Sequence, residues 1–230
     1  MLNRFDDRTA AGRALATLLA GYGGRNDVVV LGLPRGGMLP AFEVAGALNG
    51  PLDVLVTRKL GAPGAPEFAL GAIASGEVTV INESAMHLFL NSQELNSVIA
   101  QAQAELLLRE TFYRGDRRAI PVAGKTVILV DDGAVTGATM RAAIRAARGL
   151  RPARIVAALP VASLAACALL HAEADELVCE IKPAFLRSVG ECYRHFPEIT
   201  DGEVRALLAR AAAAVESHGA TDPSALTAHR

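Results

Sequence analysis

The chain has 230 residues, 51% of them hydrophobic and 20% charged, with a formal net charge of −1. That is enough for one sizeable core, too apolar for a disordered protein, and too nearly neutral for nucleic acid to be the main partner. Three cysteines, Cys167, Cys179 and Cys192, lack any Cys-x-x-Cys spacing, which points to reduced thiols of a cytoplasmic chain buried as small hydrophobes.

The opening MLNRFDDRTAAGR is charged and has no apolar stretch, so it does not read as a signal peptide. Asp6 or Asp7 can cap a first helix, with Ala11, Leu15, Leu18 and Leu19 at helical spacing and glycines at 21–24 ending it. VVVLGL (28–33) suits a strand buried on both faces, and a helix over 39–48 follows the break at Pro34-Arg35-Gly36-Gly37. A second strand at 52–56 ends in Thr57-Arg58-Lys59. LGAPGAPEFALGA reads as too irregular for a helix and too Pro-rich for an inner strand, and 77–81 as a peripheral antiparallel strand. Residues 83–113 read as one or two helices. Gly124-Lys125-Thr126 is a tight turn and not a Walker loop, since Ala119 stands where the first Gly should be. Strands near 127–130, 155–159 and 177–179 are separated by helices, the second of them at 163–171. Asp201 is placed to cap a last helix to 216. The uncharged run 155–170 is too short to span a bilayer and is broken by Pro160. Five strands alternating with helices make a doubly wound α/β sheet, whose ligands bind beyond the carboxyl ends of the strands.

Three loops fall at that edge. After the strand VILV (127–130) come two acids, Asp131 and Asp132, and then GAVTGAT opening a helix. Backbone N–H groups at such a helix start suit a phosphate. The carboxylates would repel a phosphate and suit sugar hydroxyls, or a Mg²⁺ held partly through water. A doubled acid at a strand end is by itself only a solvated turn, but with Thr136-Gly137-Ala138-Thr139 behind it the stretch points to an activated sugar phosphate. In the LPRGG loop, Gly36 and Gly37 allow close backbone approach and Arg35 offers a guanidinium to anionic oxygens; the bland alternative is a glycine turn with a surface arginine. Arg58 and Lys59 are either anion ligands or solvated cations. The five histidines show no pair at metal-ligand spacing, and His195 reads as structural or surface.

The strand, the two acids and the Thr-Gly-x-Thr loop resemble the signature of the type I phosphoribosyltransferases. The chain as a whole looks like a bacterial group of predicted phosphoribosyltransferases with no assigned acceptor. RFDDRTAAGRALA, LGLPRGG, RKLGAPGAPEFALGA, VDDGAVTGATM and VGECYRHFPEITDGEV carry the likeness over about residues 4–208. The resemblance implies the type I fold, a doubly wound five-stranded parallel sheet with a small hood or flexible-loop region. One domain would cover 1–218, with a lid and helical insertion at about 60–115, and a disordered tail 219–230. It implies phosphoribosyl pyrophosphate as donor, Mg²⁺ as cofactor and a small nitrogenous acceptor, without nucleic acid or membrane; a homodimer is left open. By the same resemblance Asp131 and Asp132 hold the ribose hydroxyls and, indirectly, the Mg²⁺. Val135, Thr136, Gly137, Ala138 and Thr139 cradle the 5′-phosphate. Arg35, Gly36, Gly37, Arg58 and Lys59 face the pyrophosphate, the Arg35–Gly36 bond is cis, and Asp131, Asp132 and Arg35 form the catalytic set. Residues 60–75 would be a mobile lid over the donor. Two departures from the hypoxanthine-guanine enzymes speak against purine salvage: Val135 replaces an acid in the phosphate loop, and Asp175-Glu176-Leu177-Val178 offers no stacking aromatic. The rival reading is a non-catalytic module that senses phosphoribosyl pyrophosphate. Such a module should add a nucleic-acid-binding element or a basic face, and neither is evident.

Overall fold

A computed structural model describes residues 4–62, 65–75, 78–81 and 92–219. Asp7 caps the first helix, α1 (Arg8–Leu18), by accepting from the Ala10 N–H at 2.7 Å. In chain order there follow β1 (Val28–Gly32), α2 (Met38–Leu48), β2 (Leu52–Val54), β3 (Thr57–Ala62), β4 (Ala65–Ala74), β5 (Val78–Ile81) and α3 (Ser92–Arg114). The second half supplies β6 (Thr126–Val130), α4 (Ala138–Gly149), β7 (Arg154–Val161), α5 (Leu164–Glu173), β8 (Glu176–Ile181) and α6 (Asp201–Gly219). The expected helical stretch 83–113 is a helix from Ser92 onward; residues 82–91 and the tail 220–230 lie outside the described residues.

The main sheet has five strands in the order β2-β1-β6-β7-β8, every neighbouring pair parallel. This is the expected doubly wound arrangement. The chain moves outward from β1 to β2 on one side and from β6 through β7 to β8 on the other, so the order reverses between β1 and β6. Every residue of those two central strands is buried. Their side chains alternate between two cores. Val28, Val30, Ile128 and Val130 pack with α2 and α6 residues such as Val44 and Leu208, while Val29, Leu31, Val127 and Leu129 pack with Met140 and Ile144 of α4 and Leu170 of α5.

LGAPGAPEFALGA stays out of the main sheet, as expected, but its described residues are paired: β3 and β4 run antiparallel, and β5 completes a separate three-stranded sheet. Proline is tolerated there because the register jumps between Gly61↔Ala69 and Ala62↔Ala65, leaving Pro66 in the unpaired interval where no ladder N–H is missed. The last helix is capped by Thr200, one residue earlier than expected. Its hydroxyl accepts from the Glu203 N–H at 3.2 Å, and Glu203 Oε2 accepts from the Thr200 N–H at 2.7 Å. Asp201 instead accepts the Tyr113 hydroxyl proton at 2.6 Å, tying α6 to α3. Thr200→Ala should lower the free energy of unfolding by about 1 kcal/mol, measurable by urea denaturation.

Candidate active site

Parallel register brings the carboxyl ends of β1 and β6 side by side, Gly32 opposite Val130. Leu33 N–H continues the ladder to Val130 O at 2.9 Å, so the LPRGG loop leaves the sheet directly against Asp131 and Asp132. The approach is close enough to exclude a side chain. A Cβ on Gly36 would overlap Asp132 Oδ2, and one on Gly37 would come within 2.6 Å of Val130 O. Gly37 then opens α2 without a side-chain cap, but the Gly37 N–H already donates to Leu33 O at 3.0 Å and the Met38 N–H to Arg35 O at 3.2 Å, and Pro40 has no N–H to offer. The peptide Pro34–Arg35 is cis, not Arg35–Gly36 as expected. Arg35 itself is exposed.

The acid pair is held by residues far off in sequence. Asp132 Oδ2 accepts from Arg8 Nε at 2.8 Å, between side chains only 14% and 7% exposed. Arg8 Nη1 also donates to Pro197 O at 2.5 Å, and its guanidinium lies 3.6 Å from the centre of the Phe196 ring. The Tyr193 hydroxyl donates to Asp132 O at 2.6 Å; burial, then the nearby Asp132 carboxylate, push its pKa up and keep it a donor. Asp131 Oδ1 accepts from the Asp132 N–H at 2.9 Å. One oxygen of each carboxylate is thus engaged inside the protein. Both carboxyl pKa values are raised. For Asp131 burial is the main cause and the Asp132 charge the second; for Asp132 burial outweighs the opposing hydrogen bond from Arg8.

The next loop is braced before α4 begins. Ala134 N–H donates to Val161 O at 2.9 Å, Ser163 N–H to Ala134 O at 3.0 Å, and the Ser163 hydroxyl to Val135 O at 2.6 Å. Gly137 adopts φ 75° and starts α4 with no side-chain cap. The left-handed backbone explains a glycine in the middle of the loop. Thr136, Ala138 and Thr139 are exposed around that helix start, beside half-buried Val135. Asp131, Asp132, Arg35, Gly36, Gly37 and residues 135–139 are therefore gathered at one end of the sheet.

Arg58 and Lys59 are not at the end of β2; they begin β3 of the small sheet. Arg58 is ion-paired with Glu105 of α3, and the Lys59 side chain lies outside what the structure describes. His195 is exposed, as expected for a surface residue. Because β8 runs to Ile181, the segment at its carboxyl end is 182–188 and not 175–178, and there Phe185 is 88% exposed. Sequence reasoning passed over Arg8, Tyr193 and Phe196. Two of the motifs quoted for the family likeness, RFDDR and CYRHF, did contain them. They meet in the fold, where Phe5 N–H donates to Cys192 O and Arg194 N–H to Phe5 O, each at 2.9 Å.

No group of three or more His, Cys, Asp or Glu side chains able to hold a metal occurs among the described residues. The free carboxylate oxygens of Asp131 and Asp132 fit a Mg²⁺ carried mainly by water and substrate oxygens, the usual state of that ion. No described helix is long and apolar enough to cross a membrane.

Comparison with known proteins gives a consistent result. A model of the phosphoribosyl transferase domain matches residues 3–193. Two Mycobacterium tuberculosis proteins, provisionally named phosphoribosyl transferases, from strains CDC 1551 and H37Rv, are each 44% identical over 222 residues. The match takes in 96% of this chain but only 50% of theirs, so the chain spans about half the length of those relatives. A crystal structure of a Thermus thermophilus protein superposes with a TM-score of 0.80 at 43% identity, covering 90% of this chain and 98% of that one.

Arg8→Met should destabilise the fold by about 3–5 kcal/mol, since it strands a buried carboxylate; urea unfolding at neutral pH measures it. Asp131→Asn should act in the opposite sense. A carboxyl whose folded pKa is raised contributes stability below its unfolded pKa and loses it as pH rises through the folded value. The Asn variant cannot ionise, so its stability relative to the native protein should improve as pH rises above about 4, the range in which an unfolded Asp ionises.

Proposed function

This chain belongs to the phosphoribosyl transferase domain family, and on that premise we propose that it moves the phosphoribosyl group of phosphoribosyl pyrophosphate to a nitrogenous, nucleobase-like acceptor with release of pyrophosphate. The observation that carries the reading is the acid pair packed against a glycine loop on one side and an uncapped helix start on the other. A phosphate at the N–H groups of 135–139 places the attached ribose over Asp131 and Asp132, whose free oxygens accept from its hydroxyls. The pyrophosphate then reaches the 35–37 loop, where Arg35 and backbone N–H groups meet its oxygens.

The bond from ribose C1 to the pyrophosphate oxygen breaks, the acceptor nitrogen bonds to C1, and the acceptor's surplus proton leaves to solvent. Positive charge develops on the sugar and negative charge on the leaving group. The protein fixes the sugar and stabilises the departing anion, without a covalent nucleophile. Mg²⁺, held through water by Asp131 and Asp132, would neutralise pyrophosphate charge when bound. Arg58 can join the leaving group only by giving up Glu105. Both side chains are almost two-fifths exposed, so that pair costs little to break, roughly 0–1 kcal/mol. Exposed Phe185, beyond the last strand, is a candidate face for a planar acceptor.

A screen of nitrogenous acceptors with phosphoribosyl pyrophosphate and Mg²⁺, read by pyrophosphate release and product mass, should find turnover. With the best acceptor, Arg35→Ala should lower kcat/KM by about 100- to 1,000-fold, and Arg58→Ala by less. Donor binding without turnover across the whole screen would instead favour a sensing module.

A further inference from the structure

Arg8 is the first residue of α1, the end of a helix whose free N–H groups favour anions and disfavour cations. Its side chain is nevertheless only 7% exposed. Neutralising Asp132 explains a positive charge at that place, and a lysine would serve as well. A guanidinium adds donors held in a fixed plane, and the placing of those donors points to a further role.

Three contacts fix the group. Nε donates to Asp132 Oδ2 at 2.8 Å, Nη1 donates to Pro197 O at 2.5 Å, and the Phe196 ring lies against the face, its centre 3.6 Å from the guanidinium carbon. The N–H of Nε and one N–H of Nη2 point the same way along one edge, the edge that a carboxylate commonly binds with both oxygens. Asp132 uses half of it. Among the described residues Nη2 has no hydrogen-bond partner. It is not sealed from solvent either, since Glu110 Oε1 is the one side-chain nitrogen or oxygen among those residues that is both sealed and unpartnered. Asp132 is arranged likewise. Its Oδ2 lies between Arg8 and Gly36, where a Cβ would overlap it, while Oδ1 is unpartnered and unsealed among the same residues. An open donor and an open acceptor thus sit on two groups joined at 2.8 Å.

We propose that Arg8 is a sugar-binding residue, its Nη2 donating to a hydroxyl of the donor's ribose that in turn donates to Asp132 Oδ1. The assignment rests on the acid pair being the sugar site. A hydroxyl both accepts and donates, so it satisfies both open atoms; a carbon-bound hydrogen in its place satisfies neither. Two nearly buried charged groups left unpaired are what makes a site reject an analogue that lacks a hydroxyl. Arg8, brought in from the first turn of α1, therefore sets the demand for an intact ribose over a deoxy sugar.

NMR titrations of the full chain with ribose 5-phosphate and with its 2-deoxy and 3-deoxy analogues, run without Mg²⁺, test this. The native protein should bind ribose 5-phosphate about tenfold or more tighter than at least one analogue, the difference a charge-assisted hydrogen bond makes. Arg8→Lys keeps the counter-charge beside Asp132 but not the planar fork, and that preference should fall to about threefold or less. The preference is a ratio within one protein, so a loss of stability alone does not move it. If the lysine variant does not fold, Phe196→Leu takes its place; it frees the guanidinium face and should lower the same ratio by about threefold or more. A native protein that binds none of the three sugars would overturn the proposal together with the donor-site reading. A preference absent from the native protein, or kept undiminished in the folded variant, would overturn the role of Arg8 while binding of the sugar phosphate stands.

Discussion

Two carboxylates on consecutive residues at the end of a buried strand repel one another and lose hydration, and the architecture around the switch point offsets that cost. Arg8 supplies the counter-charge at 2.8 Å from Asp132. Tyr193 takes up the Asp132 backbone carbonyl and Phe196 covers the face of the Arg8 guanidinium. Holding Arg8 in place requires the N-terminal segment to pair with the chain beyond β8, through Phe5, Cys192 and Arg194. The N-terminal segment and the segment after β8 are therefore closed over the acid pair by the same contacts that compensate its charge. The compensation is partial, since both carboxyl pKa values stay raised. A site with unspent negative charge and one free oxygen on each carboxylate is prepared for hydroxyl donors and for a hydrated cation.

Close approach is the second constraint. With Gly36 and Gly37 lying against Asp132 and Val130, the two loops act as one surface. Arg35 and the acid pair are thereby brought to neighbouring places on that surface. The Ser163 hydroxyl and the Ala134 ladder bonds fix the other side, where α4 begins. Rigid strands place three loops, and the loops carry the polar chemistry.

What was legible in the sequence was local. The strand VILV, the acids and the TGAT turn are contiguous, and a fully apolar run meeting small residues identifies a buried strand ending in a tight loop before a helix. The parallel order followed from alternation of strands with helices. What escaped was set at long range. Arg8 looks like the first residue of a capped helix, and its partner is 124 positions away. Arg58 looked like a free cation until the fold set Glu105 beside it. The β3–β4 hairpin was hidden by its glycines and prolines, which read as irregular unless the register shift is known. The cap of α6 was misassigned by one residue because Thr200 and Asp201 are both good caps, and only the reciprocal bonds with Glu203 distinguish them.

We infer that Asp131 and Asp132 bind the sugar of phosphoribosyl pyrophosphate. Isothermal calorimetry of that compound with Mg²⁺ on the native protein and on the Asp131→Asn, Asp132→Asn double variant tests it most directly, with unfolding curves confirming that the variant is folded. Clear binding to the native chain is expected, with a loss of at least about 100-fold in the variant, as two charged acceptors are removed. Equal affinity in the two proteins would contradict it.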